Sequence, residues 1–223
     1  MAQVPAHIAI IMDGNRRWAV AQGLPKLKGH SEGARNLKAV VRACHARGIK
    51  VVTLYALSTE NLRRSEVELA HLFKLFDRIS EYAEELAADG VRFRMIGNRE
   101  KLPAATRERL EAAERLTANL DTMTVNLAVA YGGRDELLRA ARRFAAQGGS
   151  SEGDFDACLD TAGCPPVDLL VRTGGHQRLS NFLLWQAAYA ELYFTDTLWP
   201  DFKDAQLDAA LAFFADQQRN LGA

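Results

Sequence analysis

Short apolar runs alternate with longer stretches of helical periodicity along the whole chain. Ile8 to Met12, Ile49 to Leu57, Val91 to Ile96, Thr122 to Tyr131 and Val167 to Val171 suit buried strands and are too short for helices. Glu191 to Phe194 predicts a sixth. Leu37, Val40, Val41 and Cys44 fall at helical spacing in a helix from His30 to about Arg47, with Gly48 as its stop. Glu66 to Ala88 predicts one long helix, whose stripe is Leu69, Leu72, Phe73, Phe76, Ile79, Tyr82, Ala83 and Leu86. That stripe suits either packing on a sheet or the wall of a groove, and periodicity does not separate the two. Further helices are predicted at about Ala104 to Leu116, Asp135 to Gln147 and Asp204 to Gln218, with short ones at Asp154 to Leu159 and Asn181 to Ala188. Ala19 to Gly29, holding Gly23, Pro25, Lys26 and Lys28, reads as a mobile basic loop. Strands alternating with helices predict an α/β fold with a mostly parallel sheet flanked by helices. The 223 residues fit a single domain, 1–223, with Gly148-Gly149-Ser150-Ser151 its most linker-like stretch.

In such a sheet ligands bind beyond the carboxyl ends of the strands, so polar residues should gather there. They do. The first strand ends in Asp13-Gly14-Asn15-Arg16-Arg17, the second in Ser58-Thr59-Glu60-Asn61-Leu62-Arg63-Arg64. The fourth ends in Tyr131-Gly132-Gly133-Arg134, the fifth in Arg172-Thr173-Gly174-Gly175-His176-Gln177-Arg178-Leu179-Ser180. Arginine forks match phosphate oxygens, and Gly-Gly amides are expected to add donors. Asp13 among so many cations makes sense if it holds Mg²⁺ on a diphosphate or takes a proton. An Asx turn beside a solvated basic face is the plainer account of the same stretch. Glu191, a carboxylate in an apolar run, is either a second magnesium ligand or a paired structural glutamate.

Composition narrows this further. Lys plus Arg and Asp plus Glu both number 28, so no global basic field points to nucleic acid, and an anion site must be local. No Walker-type loop and no Gly-x-Gly-x-x-Gly follows the first strand, which argues against nucleotide binding. Three cysteines without zinc spacing suit a reducing compartment. With no apolar run of spanning length and no leader-like amino terminus, the expectation is a cytoplasmic protein with peripheral membrane contact left open.

With these residues in view, the sequence resembles the cis-prenyltransferases, the undecaprenyl diphosphate synthase family, over nearly its whole length. The likeness is most specific in His7 to Ala19, Leu54 to Arg64, Asn126 to Arg134 and Asp168 to Phe202. It implies a six-stranded parallel sheet, a homodimer and a hydrophobic tunnel. The implied reaction extends an allylic diphosphate, such as farnesyl diphosphate, with isopentenyl diphosphate to a Z-polyprenyl diphosphate of undecaprenyl type. The alternatives are a short-chain product or a non-catalytic partner subunit. Matched positions imply that Asp13 and Glu191 serve Mg²⁺, and that Gly14, Asn15, Arg16, Arg17, Trp18 and His30 surround the allylic diphosphate. Arg172, Arg178 and Ser180 would grip isopentenyl diphosphate, Ser58 and Asn61 would assist proton removal, and Arg64 and Glu68 would stand nearby. Arg16, Leu62, His176 and Gln177 depart from the commonest family pattern.

Overall fold

A computed structural model describes residues 4–217, apart from the side chains of Ile79 and Ser80. The expectations that fell on the Ile79 side chain and on Gln218 lie outside the described residues. Among the described residues, six strands form one sheet: β1 His7–Ile11, β2 Val51–Ser58, β3 Val91–Ile96, β4 Met123–Tyr131, β5 Leu169–Arg172 and β6 Glu191–Phe194. Their order is β3-β4-β2-β1-β5-β6 and every pairing is parallel. All carboxyl ends therefore meet along one edge. The helices are α1 Asn15–Ala21, α2 Lys26–Ala46, α3 Glu66–Asp77, α4 Ile79–Ala88, α5 Ala104–Thr117, α6 Gly133–Ala146, α7 Glu152–Asp156 and α8 Asp204–Ala215.

Side chains alternate across the pleat, so β1 feeds two cores. Ile8 and Ile10 join Val52, Leu54, Leu127 and the apolar faces of α2 to α5 and α8. Ala9 and Ile11 join Tyr131, Leu170, Phe182 and Leu183 on the other side. There, His7 is buried with a defined tautomer. Its Nδ1 lies 2.8 Å from the Pro165 carbonyl and must donate, so Nε2 accepts the Thr53 hydroxyl proton at 2.7 Å. Thr53 Oγ1 in turn accepts from Asn126 Nδ2 at 3.0 Å. Burial drives the His7 pKa down to about 4, against the Pro165 hydrogen bond.

Three local expectations change. The loop predicted at Ala19 to Gly29 is mostly helical: α1 runs to Ala21, and α2 begins at Lys26 behind Pro25, whose fixed φ suits a helix start. Gly29 and Gly33, one turn apart on α2, are where α1 presses closest, since a Cβ at either would overlap Asn15. The long helix is two, α3 and α4, parted at Arg78 with ψ near 1°. Asn181 to Ala188 forms turns rather than a helix, because Ser180, Asn181 and Leu183 sit in left-handed conformations with φ of 51°, 65° and 45°.

Candidate active site

The turn after β1 sets the centre of the site. Asp13 N bonds the Ile11 carbonyl, and Gly14 follows at φ 111°, where a side chain would come within 3.0 Å of the Leu198 Cα. Only glycine fits that passage. Asp13 is pinned through its backbone, its carbonyl accepting from Thr173 Oγ1 at 2.7 Å and Trp199 N at 3.0 Å. Its carboxylate is thereby held against two guanidinium groups, Arg172 Nη2 at 2.9 Å and Arg17 Nη2 at 3.3 Å. Burial raises its pKa, but the Arg172 hydrogen bond and charge, with Arg17 and His176, outweigh it and hold Asp13 below the usual carboxylate range.

Arg172, the last residue of β5, is the hub. Its side chain is 5% exposed. While Nη2 holds Asp13, Nη1 bonds Ser180 Oγ at 2.6 Å and the Arg178 backbone carbonyl. Its buried Nε has no protein partner. The Arg178 side chain is exposed beside it. On the other flank, Glu68 Oε1 accepts from His30 Nε2 at 2.9 Å and Arg64 Nη1 at 3.0 Å. Burial first, then the Arg64 charge, lowers the His30 pKa despite Glu68, so His30 is neutral and donates from Nε2. The exposed Arg16 acts electrostatically on both Arg64 and Glu68. Asn15 sits between these groups, its Oδ1 buried and without a partner. Trp18 donates from Nε1 to Asp201 at 2.8 Å. Ser58 Oγ accepts from Asn61 N at 3.1 Å, just past a register shift between β2 and β4.

Two expectations meet a different geometry. The amides of Gly174 and Gly175 are taken by the Thr197 and Thr195 carbonyls, and that of Gly133 by the Asn181 carbonyl. These glycines make room instead of donating to a ligand: a Cβ at Gly174, φ 82°, would crowd Arg17 and the Asp13 backbone. Glu191 stands in register with Leu169, and Leu169 with Ile8, at the amino end of the sheet. That is three strand steps, about 10 Å, before Ile11, so Asp13 and Glu191 do not converge within one chain.

Sequence reasoning missed the clamp around Asn181. Its Nδ2 reaches Glu60 at 3.0 Å, its Oδ1 accepts from Arg134 N at 2.9 Å, and Tyr55 stacks on neighbouring Phe182 at 4.4 Å. Asn is one of the few residues at ease at positive φ, and its place directly after Ser180 was the available signal. Also missed was Asn36, buried on α2, which donates to the Trp199 and Phe202 carbonyls and ties down the segment facing Asp13.

From this centre a groove of about 490 Å³ runs between α2 and α3–α4, lined by Met12, Leu37, Leu72, Leu75, Phe76 and Leu127. It has the size of a small-molecule site, with an apolar stripe flanked by polar groups such as His30, Ser31 and Lys38. A charged cleft of about 610 Å³ beside β3 is different in kind. There Arg99 is taken up by Glu114, and Arg139 and Arg143 by Asp160. Among the described residues no cluster of three His, Cys, Asp or Glu could hold a metal, and no helix is long and apolar enough to cross a membrane.

The comparisons with known proteins agree in direction. A family model described as "Putative undecaprenyl diphosphate synthase" matches residues 11–222. An isoprenyl transferase of Neisseria gonorrhoeae is 44% identical over 98% of this chain and 90% of its own. A Pseudomonas aeruginosa protein named ditrans,polycis-undecaprenyl-diphosphate synthase ((2E,6E)-farnesyl-diphosphate specific) is 42% identical, covering 98% and 91%. The crystal structure of lavandulyl diphosphate synthase from Lavandula x intermedia, in complex with dimethylallyl diphosphate, superposes with a TM-score of 0.94 at 37% identity, over 99% of both chains. A probable undecaprenyl diphosphate synthase from Campylobacter jejuni gives 0.85 at 35%, over 100% of both.

Proposed function

Because the chain belongs to the undecaprenyl diphosphate synthase family, we propose that it condenses isopentenyl diphosphate with an allylic diphosphate, farnesyl diphosphate as starter, to a Z-polyprenyl diphosphate of undecaprenyl type. One observation carries this reading: a single guanidinium, Arg172, joins Asp13 to Ser180 beside Met12 and Asn15, which line the groove. Departure of the allylic diphosphate builds negative charge on the leaving oxygens and positive charge on carbon. Arg16 and Arg17 face the first, with Gly14, Asn15, Trp18 and His30 shaping that end. Arg172, Arg178 and Ser180 bind isopentenyl diphosphate so that its double bond meets the allylic carbon. The groove keeps out water that would trap the cation. Asn61 and Ser58, together at the end of β2, assist loss of the isopentenyl proton by which the cation left after bond formation becomes a double bond, and Glu68, itself held by Arg64, keeps His30 in place.

Mg²⁺ fits Asp13, since this ion is commonly held by one or two carboxylates, substrate phosphates and water. When bound it neutralises charge on the leaving diphosphate. Glu191, remote from Asp13 in its own chain, has no part in that site within one protomer. Exposed Trp185, Tyr189 and Leu192 at and before the edge strand β6 support a homodimer. Exposed Val20 and Leu24 near Lys26 and Lys28 support peripheral membrane contact, and the free cysteines support a cytoplasmic setting.

Incubation with farnesyl diphosphate, labelled isopentenyl diphosphate and Mg²⁺, followed by sizing of the products, tests the reading. Long labelled chains are expected, and their formation stops on chelation. Products that end after one or two additions contradict the long-chain assignment, and no incorporation contradicts the reaction.

A further inference from the structure

We propose that Lys38, Glu85 and Tyr82 form a latch across the far end of the groove, which makes the enzyme sensitive to the length of its allylic starter. The inference rests on the prenyl-transfer reading and names a discrimination within the same site.

The helices flanking the groove are tied together at two levels. Near Asp13, His30 bonds Glu68 at 2.9 Å, and Ser31 Oγ lies 3.1 Å from His71 Nε2. Farther down, Lys38 of α2 bonds Glu85 of α4 at 2.9 Å, and Arg42 bonds the other oxygen of Glu85 at 2.8 Å. The Lys38 ammonium also sits 4.7 Å from the centre of the Tyr82 ring. Between these two levels Leu37, Leu72, Leu75, Phe76 and Leu127 form an apolar stripe in the lining, beside which Arg35, Arg78 and Glu81 also stand. The apolar stripe thus ends at a cation and a phenol, Lys38 and Tyr82, with the Glu85 carboxylate bonded to the cation. The Tyr82 hydroxyl is buried with no partner, an arrangement that packing alone does not favour.

The spacing gives the latch a length. Eight residues of α2 separate His30 from Lys38, about 12 Å at the helical rise. An extended chain advances roughly 1.2 Å per bond, so each four-bond isoprene unit spans about 5 Å. Two units fit between the levels. The tip of a third reaches Lys38 and Tyr82 when the diphosphate lies at Asp13 and Arg17. Longer starters must push the latch open. It yields, because the Lys38–Glu85 pair is more than one-third exposed and therefore weak, while each added unit buries five more carbons. The latch slows the first steps that meet it rather than ending growth.

The experiment compares single-turnover rates of one condensation with geranyl and with geranylgeranyl diphosphate, in wild type, Lys38→Ala and Glu85→Ala. Both substitutions lie on partly exposed helix positions, and thermal melts check folding. The expected result is that the ratio of four-unit to two-unit rates rises several-fold in both variants. An unchanged ratio with intact prenyl transfer overturns the latch alone. Absence of transfer from either starter in wild type overturns the prenyl-transfer reading and the latch with it.

Discussion

Arg172 Nη2 donates to Asp13 Oδ2 at 2.9 Å, joining the ends of β1 and β5 across 159 positions of sequence. The same guanidinium holds Ser180 and the Arg178 carbonyl through Nη1, so one planar fork sets the distance between the two halves of the site. Lysine keeps the charge and loses the fork. Arg172→Lys should lower kcat/KM for isopentenyl diphosphate about 10- to 100-fold, the worth of one charged hydrogen bond. Steady-state kinetics check this, and a change of less than about twofold would show that charge alone suffices.

The close approach of α1 to α2 gives a stability prediction. Ala at position 29 improves helix propensity by up to about 1 kcal/mol, but its Cβ overlaps the Asn15 carbonyl, and overpacking costs about 1–3 kcal/mol. Gly29→Ala should therefore lower Tm by a few degrees, and reduce turnover by displacing Asn15 and Arg17. A raised Tm with full turnover would mean that the two helices part without loss.

His7 makes stability depend on pH. Its folded pKa, about 4, lies below the ordinary 6.5, so the unfolded chain takes up the proton first as pH falls. The contribution is complete above pH 6.5 and shrinks on the way to pH 4, by about 3 kcal/mol at 1.36 kcal/mol per unit. Denaturant melts across that window should show wild type losing more stability than His7→Gln, whatever the variant's starting stability. Parallel curves would contradict a neutral buried His7.

The unpartnered Tyr82 hydroxyl offers a simple control. Removing a buried polar atom that has no partner loses no hydrogen bond, so Tyr82→Phe should leave stability unchanged or raise it by up to about 1 kcal/mol. A clear drop in the chemical-denaturation midpoint would reveal a partner.

Much of the fold was legible because buried parallel strands are short, continuous apolar runs, as Ile8 to Met12 and Val167 to Val171 are. Loops obeyed a different logic. Gly23, Pro25 and Gly29 read as a loop, yet Gly29 is helical, and it is glycine because contact with Asn15 leaves no room for a side chain. Arg78 breaks a helix with no Pro or Gly to announce it. The residues around Asp13 were found by the rule that ligands gather at strand ends, whereas what their amides bind depends on a return segment, Thr195 to Thr197, far along the chain. Glu191 shows the limit most plainly: its residue type suggested a ligand, and only strand direction places it at the opposite edge from Asp13.

The most direct test of the account is turnover in Asp13→Ala, measured as incorporation of labelled isopentenyl diphosphate, beside circular dichroism of the same preparation. Asp13 stays ionised within its cationic setting and is, among the described residues, the one carboxylate hydrogen-bonded to both Arg172 and Arg17. The account predicts a folded protein with no measurable incorporation. A folded variant that turns over like wild type would contradict it.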